Sequence, residues 1–294
     1  MSASLEAFEA HRNLLFTVAY EMLGSAADAE DVVQETWLRW AGIGDAARED
    51  VRDPRAYLVR IVTRQALNRL RTLARRREEY VGEWLPEPLL TSPDVAEDIE
   101  LSESVSFAML TVLEILGPTE RAVFVLREVF DVPYDEIAEA VGKTPAAVRQ
   151  IAHRAREHVA ARRPRVQVDR AEQQAAVERF LAALQTGDVQ GLLDVLAPDV
   201  VVVADGGGMV AAARRPIEGA EAVARLLAKF AQVAPRARVD TVWLNGAPAA
   251  RIDPAGELNT AVTFVVVDGR ITRIYAIRNP HKLARLDEEA ELSR

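Results

Sequence analysis

The period of the apolar pattern changes near residue 168, and that change limits the folds open to the chain. Before it, apolar residues recur three and four positions apart. Leu14, Leu15, Val18, Ala19, Met22 and Leu23 do so in one stretch, and Tyr57, Leu58, Ile61, Val62, Ala66, Leu67 and Leu70 in another. Beyond it, two more helical stretches lead into runs that alternate or are β-branched: "RARVDTVWLNG", "AAARID" and "NTAVTFVVVDGRITRIYAI", with Asp268-Gly269 as a hairpin turn. "IEGAEAVARLLAKF" supplies a further helix. Helices first and a curved antiparallel sheet last predict a multidomain chain, with all-α parts over residues 5–77 and 106–165 and an α+β domain over 168–286. Residues 78–105 read as an acidic, proline-rich linker on an extended, solvated path. Trp84 and Leu85 are unusual there, because apolar residues in a linker are usually docked. At 294 residues and 49% hydrophobic content, two or three packed cores are within reach.

Charge is laid down in blocks. The formal net charge is −9, yet Pro54 to Arg77 contains no acid and carries Arg55, Arg60, Arg64, Arg69, Arg71, Arg75, Arg76 and Arg77. Glu78 to Glu120 contains no Lys or Arg. A third block, Arg149, Arg154, Arg156, Arg162, Arg163 and Arg165, faces Glu157 alone. Exposed charges are screened beyond roughly 10 Å, so an acidic chain can still present two basic faces to a polyanion. The chain has no cysteine, which excludes disulfides, thiolate chemistry and cysteine metal sites. No metal site or cofactor is expected. The first residues lack the pattern of a secretory signal, and no apolar run approaches the ~18 residues that span a bilayer. A cytoplasmic protein without membrane contact is expected.

"DEIAEAVGKTPAAVRQIAHRARE" (135–157) reads as two helices about a tight turn. Gly142 makes the turn, Thr144 caps the second helix and Pro145 opens it, before Pro164 stops it. With Val148, Ile151, Ala152 and Ala155 inward, Arg149, Gln150, His153 and Arg154 fall on the free face. In a helix-turn-helix such residues reach base edges and phosphates, although solvated arginines on a surface helix would give the same pattern. Asp53 and Pro54 start the helix that carries Arg60, Arg64, Asn68 and Arg71 on one face, with arginines suited to phosphates and Asn68 to a base. Asp28, Asp31, Gln34 and Glu35 form an acidic and amide surface beside Trp37, either a docking site for a basic helix or an ordinary solvated face.

The stretch 116–159 resembles region 4 of extracytoplasmic-function sigma factors, and "AYEMLGSAADAEDVVQETWLRW" with "PRAYLVRIVTRQALNRLR" is similar to their region 2. The resemblance implies that region 2 binds the β′ clamp helices of core RNA polymerase and opens the downstream promoter element. It also implies that region 4 reads the upstream element, with the β flap as a further polymerase contact. The family's usual aspartate near Asn68 is absent. Trp84-Leu85-Pro86-Glu87-Pro88, Asp205-Gly206-Gly207-Gly208 and Asn279-Pro280-His281-Lys282-Leu283 look like the motifs of the sigma-factor group with a SnoaL-like (NTF2-like) cone domain. Met209 stands where a basic residue often follows the glycines, and His281 replaces an aspartate.

That resemblance implies regulation in cis by the SnoaL-like domain, contacting the DNA-binding domains in place of a separate anti-sigma factor, in a monomer. Trp84, Leu85 and Pro86 then form an apolar anchor, and Asp205, Gly206, Gly207, Gly208, Asn279, Pro280, His281 and Lys282 are the candidates to receive it or region 2. No catalytic residue is assigned. The alternatives are a DNA-binding protein fused to a ligand-binding or catalytic SnoaL-like domain, and a transcription factor that never binds polymerase.

Overall fold

The computed structural model describes residues 3–44, 47–48, 50–162, 169–234, 236–254 and 260–294, with the backbone alone at 3, 4, 74–78, 96 and 231. Pro164, Arg163, Arg165 and the expected boundary at 165–168 lie outside the described residues, as do the side chains of Arg75, Arg76 and Arg77. The chain forms two compact units, one from Met1–Glu78, Asp98–Arg163 and Glu291–Arg294, the other from Glu79–Glu97 and Pro164–Ala290. The stretch expected as one linker is therefore divided. Residues from Asp98 onward join the helical unit, because Asp98 caps a helix whose Leu101 and Val105 are buried.

The helical unit opens with α1 (Ala3–Glu9), α2 (Arg12–Leu23), α3 (Ala26–Ala41) and α4 (Pro54–Glu78). Helix α2 is buried from Leu14 through Leu23 without a break, as expected of a helix with neighbours on every side. It ends at Gly24, whose φ of 67° is the left-handed cap that glycine adopts without steric cost. Ser25 then caps α3 by accepting from the Asp28 amide, and Asp53 caps α4 by accepting from Ala56. Helices α5 (Ile99–Val105), α6 (Phe107–Leu113) and α7 (Pro118–Phe124) follow, and α7 runs into a π-turn at Val125–Val129. Helices α8 (Tyr134–Val141) and α9 (Pro145–Ala160) close the unit. Gly142 at φ 68° makes the turn between them, and Thr144 accepts from Ala147. Helix α4 packs on both α7 and α8, so the two helical halves share one core.

The second unit places α10 (Arg170–Thr186), α11 (Val189–Val195) and α12 (Ala220–Val233) against a sheet. Its strands are β1 (Leu196–Asp205), β2 (Ile217–Glu218), β3 (Arg238–Leu244), β4 (Ala247–Asp253), β5 (Thr260–Val267) and β6 (Arg270–Ile277), ordered β2-β1-β6-β5-β4-β3. A short helix, α13 (Pro280–Leu283), follows. The sheet is not wholly antiparallel as expected. Strand β1 pairs with β6 in parallel, because three successive hairpins from β3 return the chain along β6 in the direction of β1. Two of those hairpins turn at Asn245-Gly246 and Asp268-Gly269, with all four residues at positive φ, the geometry that matches strand twist. The helix-facing side of the sheet is filled by apolar residues including Phe180, Leu184, Val202, Val223, Ile252, Phe264 and Ile274. Phe180 and Phe264 meet edge to face at 5.1 Å. The opposite side is covered as well, since Val203, Asp205, Thr263, Tyr275 and Ile277 are buried in the alternate positions.

Candidate nucleic-acid, polymerase and docking surfaces

The basic face of α4 is divided between two states. Arg60 pairs with Glu139 of α8 at 2.7 Å and lies over the Tyr57 ring. Arg64 donates to the Glu139 carbonyl at 2.8 Å. Asn68 and Arg71 are exposed, and Arg71 donates to Asn68 at 3.4 Å. The helix-turn-helix thus occupies two of the four α4 residues expected to meet DNA. A cleft of about 430 Å³ lies at this seam, lined by Tyr57, Val59, Arg60, Leu126, Glu136 and Glu139 among others.

On α9, Arg149, Gln150, His153 and Arg154 are all exposed on one side. Arg149 stacks over the Tyr134 ring at 5.7 Å, and His153 lies 3.6 Å from Glu157 one turn on. Arg156 instead pairs with Glu128 at 3.0 Å, which holds α9 to the π-turn. A bond to Tyr134, and after it that pairing with Glu128, raises the Arg156 pKa.

The acidic face of α3 is more tied down than its sequence suggests. Asp28 and Asp31 both pair with Arg69, whose pKa is raised by the bond to Asp28 and the neighbouring acids. Glu35 accepts from Gln65 at 2.9 Å, and Trp37 packs on Phe8 at 5.1 Å. Gln34 stays exposed, and one turn on lies Leu38, 68% exposed. Leu38 was missed by the sequence reading, although an apolar residue on the polar stripe of an amphipathic helix is a visible signal. If Asp31, Gln34 and Leu38 meet the polymerase, Leu38→Asp lowers holoenzyme affinity on the order of tenfold or more, read by fluorescence anisotropy with core enzyme, with helicity unchanged.

The third surface lies in the second unit, where the linker meets the end of β1. Asp205 is fully buried. Its carboxylate accepts from Tyr80 Oη at 2.6 Å, Leu85 N at 3.0 Å, Gly207 N at 2.9 Å and Lys282 Nζ at 2.7 Å. Asn279 donates to Tyr80 Oη at 2.8 Å, and the Lys282 ammonium also donates to the Leu85 carbonyl. The same ammonium sits 4.1 Å above the Trp84 ring and 5.1 Å from that of Tyr80. Burial, then the bond to Asp205, raises the Tyr80 pKa.

The glycines are there for steric reasons. Gly207 has φ 61°, and a Cβ on it would meet Asn279 Nδ2 at 2.4 Å. A Cβ on Gly206 would meet the Val210 carbonyl at 2.5 Å. Gly208, at φ 72°, faces Val81. The structure therefore brings Trp84, Leu85, Asp205, Gly206, Gly207, Gly208, Asn279 and Lys282 together. Pro86 is buried beside them in the chain, whereas Pro280 and His281 are exposed. His281 contributes its amide to Asn279, at 3.0 Å, so the replaced aspartate leaves the cluster intact.

Instead of a solvated path, the linker is buried from Leu85 through Leu89. A second attachment follows: Leu89 and Asn245 exchange bonds at 3.0 and 2.9 Å. Thr91 donates to the Trp243 carbonyl at 3.0 Å, and Leu90 bridges Leu244. Tyr80, Asn245 and Thr91 were not singled out from the sequence. Tyr80 lies just before Trp84 in the linker and was within reach, whereas Asn245 fell at the end of a run read as strand. Among the described residues, no group of three or more His, Asp or Glu is placed to hold a metal, and no helix is long and apolar enough to cross a membrane.

The family comparisons agree with this layout. Profiles for Sigma-70 region 2, Sigma-70 region 4 and the SnoaL-like domain match residues 7–76, 106–159 and 177–274. The chain belongs to the extracytoplasmic-function RNA polymerase sigma factors, with a SnoaL-like domain after the two sigma regions. In particular, it is 37% identical to the ECF RNA polymerase sigma factor SigJ of Mycobacterium tuberculosis, over 94% of this chain and 91% of that one. The crystal structure of that SigJ matches with a TM-score of 0.76 at 34% identity, covering 95% of this chain and 98% of the other. A probable ECF sigma factor of the same organism, SigI, is 36% identical over 66% of this chain and 67% of its own length.

Proposed function

We propose that this sigma factor brings core RNA polymerase to promoters through Asp31, Gln34 and Leu38 of α3, with the β′ clamp helices as their partner and the β flap meeting region 4. Asn68 and Arg71, joined by Arg60 and Arg64 once Glu139 releases them, meet the downstream promoter element. Arg149, Gln150, His153 and Arg154 read the upstream element. The observation that carries this reading is the α9 face: four side chains able to contact bases or phosphates stand together, exposed, in the middle of a capped helix. The packing of α8 on α4 is a closed, storage state, since Glu139 holds two arginines that DNA would need.

The SnoaL-like domain acts as a regulatory dock for the linker in cis, through the Asp205 cluster. Docking shortens the free tether between regions 2 and 4, and so limits their separation. It supplies within one monomer the restraint that a separate anti-sigma factor would supply. Catalysis is not part of the proposal. The motif carboxylate, Asp205, already accepts from four donors, and the helix-facing side of the sheet is packed with apolar side chains.

In vitro transcription with core polymerase on a promoter library tests the reading. Wild type should start at defined promoters. Arg149→Ala should reduce output from cognate promoters by about tenfold, the loss of a base or phosphate contact of ~1–3 kcal/mol. It should do so while holoenzyme assembly is unchanged. Equal output from wild type and variant would remove α9 as the reader.

A further inference from the structure

We propose that the seam between regions 2 and 4 is a peptide-docking surface whose occupant is the chain's own segment Glu291–Arg294, which acts as a clip on the closed state. This rests on the reading of the packed helical unit as a storage form. Asn13, Thr17 and Glu21 lie at successive four-residue steps, and so on one face of α2 in region 2. Asn13 donates to the Glu291 carboxylate at 2.9 Å, and the Ser293 amide donates to Thr17 Oγ1 at 3.1 Å. On the region 4 side, Arg294 Nε donates to the Val129 carbonyl of the π-turn at 3.0 Å, and its guanidinium pairs with Glu100 of α5. Three of these four residues thus hold on to both halves at once.

The occupant fits by chemistry. An acid meets the amide of Asn13, a backbone N–H meets a hydroxyl, and a guanidinium meets a carboxylate and a carbonyl. The π-turn is what offers that carbonyl. A π-turn shifts the helical bonding by one residue and leaves groups at its end to find other partners. The guanidinium is also close enough to Glu21 to stabilise its charged form. The segment is joined through Ala290 to the SnoaL-like unit, so whatever pulls on that junction pulls on the clip. Release of the clip would loosen the seam that keeps Arg60 and Arg64 on Glu139.

Single-pair fluorescence energy transfer on the full chain tests this. The chain has no native cysteine, so Arg39→Cys and Lys143→Cys, both exposed, report the distance between regions 2 and 4. Arg294→Glu should raise the open fraction on the order of fivefold. Adding Glu100→Arg, which reverses the pair, should restore the closed fraction. If the labelled wild type is never closed, the storage-form reading fails and the clip with it. If wild type is closed but Arg294→Glu leaves the distance distribution unchanged, the clip alone is overturned. An opening that Glu100→Arg does not reverse also overturns the clip, since it marks a loss of packing instead of a lost pair.

Discussion

Asp205→Ala is expected to cost the second unit about 3–5 kcal/mol and to free the linker from Tyr80 to Leu85. The size follows from what the carboxylate leaves behind. Its removal strands the Tyr80 hydroxyl and the Leu85 and Gly207 amides, and it leaves the Lys282 ammonium, 12% exposed, without its counter-charge. A buried cation that loses its partner is penalised more than the intact pair was ever favoured. Asp205→Asn should fall between, since its amide oxygen still accepts from Tyr80 while its NH2 faces donors. Hydrogen exchange separates these outcomes: the Leu85 and Gly207 amides should lose protection in Asp205→Ala before the β5–β6 amides do. If the thermal midpoint stays within that of a ~1 kcal/mol change, or if Leu85 stays protected, the cluster is not what holds the linker.

The helical unit should weaken as pH rises, and Glu21 should be the reason. Its side chain is fully buried at the seam, and burial pushes its pKa from 4.5 to about 8, against the opposing effects of the Ser104 hydroxyl, Arg121 and Arg294. Ser104 donates to one oxygen at 2.8 Å, and among the described residues the other oxygen has no hydrogen-bond partner. Arg121, itself buried, bonds the Glu21 carbonyl at 3.0 Å and pairs with Glu114. Neutral Glu21 therefore leaves a balanced Arg121–Glu114 pair, whereas ionised Glu21 adds an unbalanced buried charge.

The sign follows from linkage. The folded pKa lies above the unfolded one, so the closed unit holds a proton that the open or unfolded chain releases. Stability from this group is complete below about pH 4.5, falls as pH rises, and is lost above about pH 8. Glu21→Gln should flatten that dependence. Its thermal midpoint should exceed wild type by several degrees at pH 8.5 and by little at pH 5. Parallel pH profiles for the two proteins would rule out Glu21 as the titrating group.

Much of this architecture was legible because the local signals agreed with the fold. Asp53, Gly142 and Thr144 cap or turn where the sequence placed them, and Asp268-Gly269 forms its hairpin. What was not legible depended on contacts between residues far apart in the chain. The parallel β1–β6 pairing is set by the number of hairpins between them, not by either strand's pattern. Acids on α3 look the same whether solvated or held by Arg69, forty residues on. Leu85 and Pro86 stood out as an anchor with Asp205 among its candidate receivers, but the rest of the linker read as a solvated proline-rich path, because nothing within it announces Asn245 as a partner. His281 was drawn in by its place in a motif, yet its side chain faces solvent.

The bridge between Leu90 and Leu244 carries a consequence for self-association. Strand β3 is the last strand of the sheet, and such a margin offers unbonded amides and carbonyls to any strand that drifts near. At the Trp243–Asn245 end those groups are already taken by Leu89 and Thr91 of the same chain. A linker that leaves would uncover an adhesive β-margin at the moment it lengthens the tether, so a sigma factor caught in that state without polymerase would be prone to pair with another copy of itself.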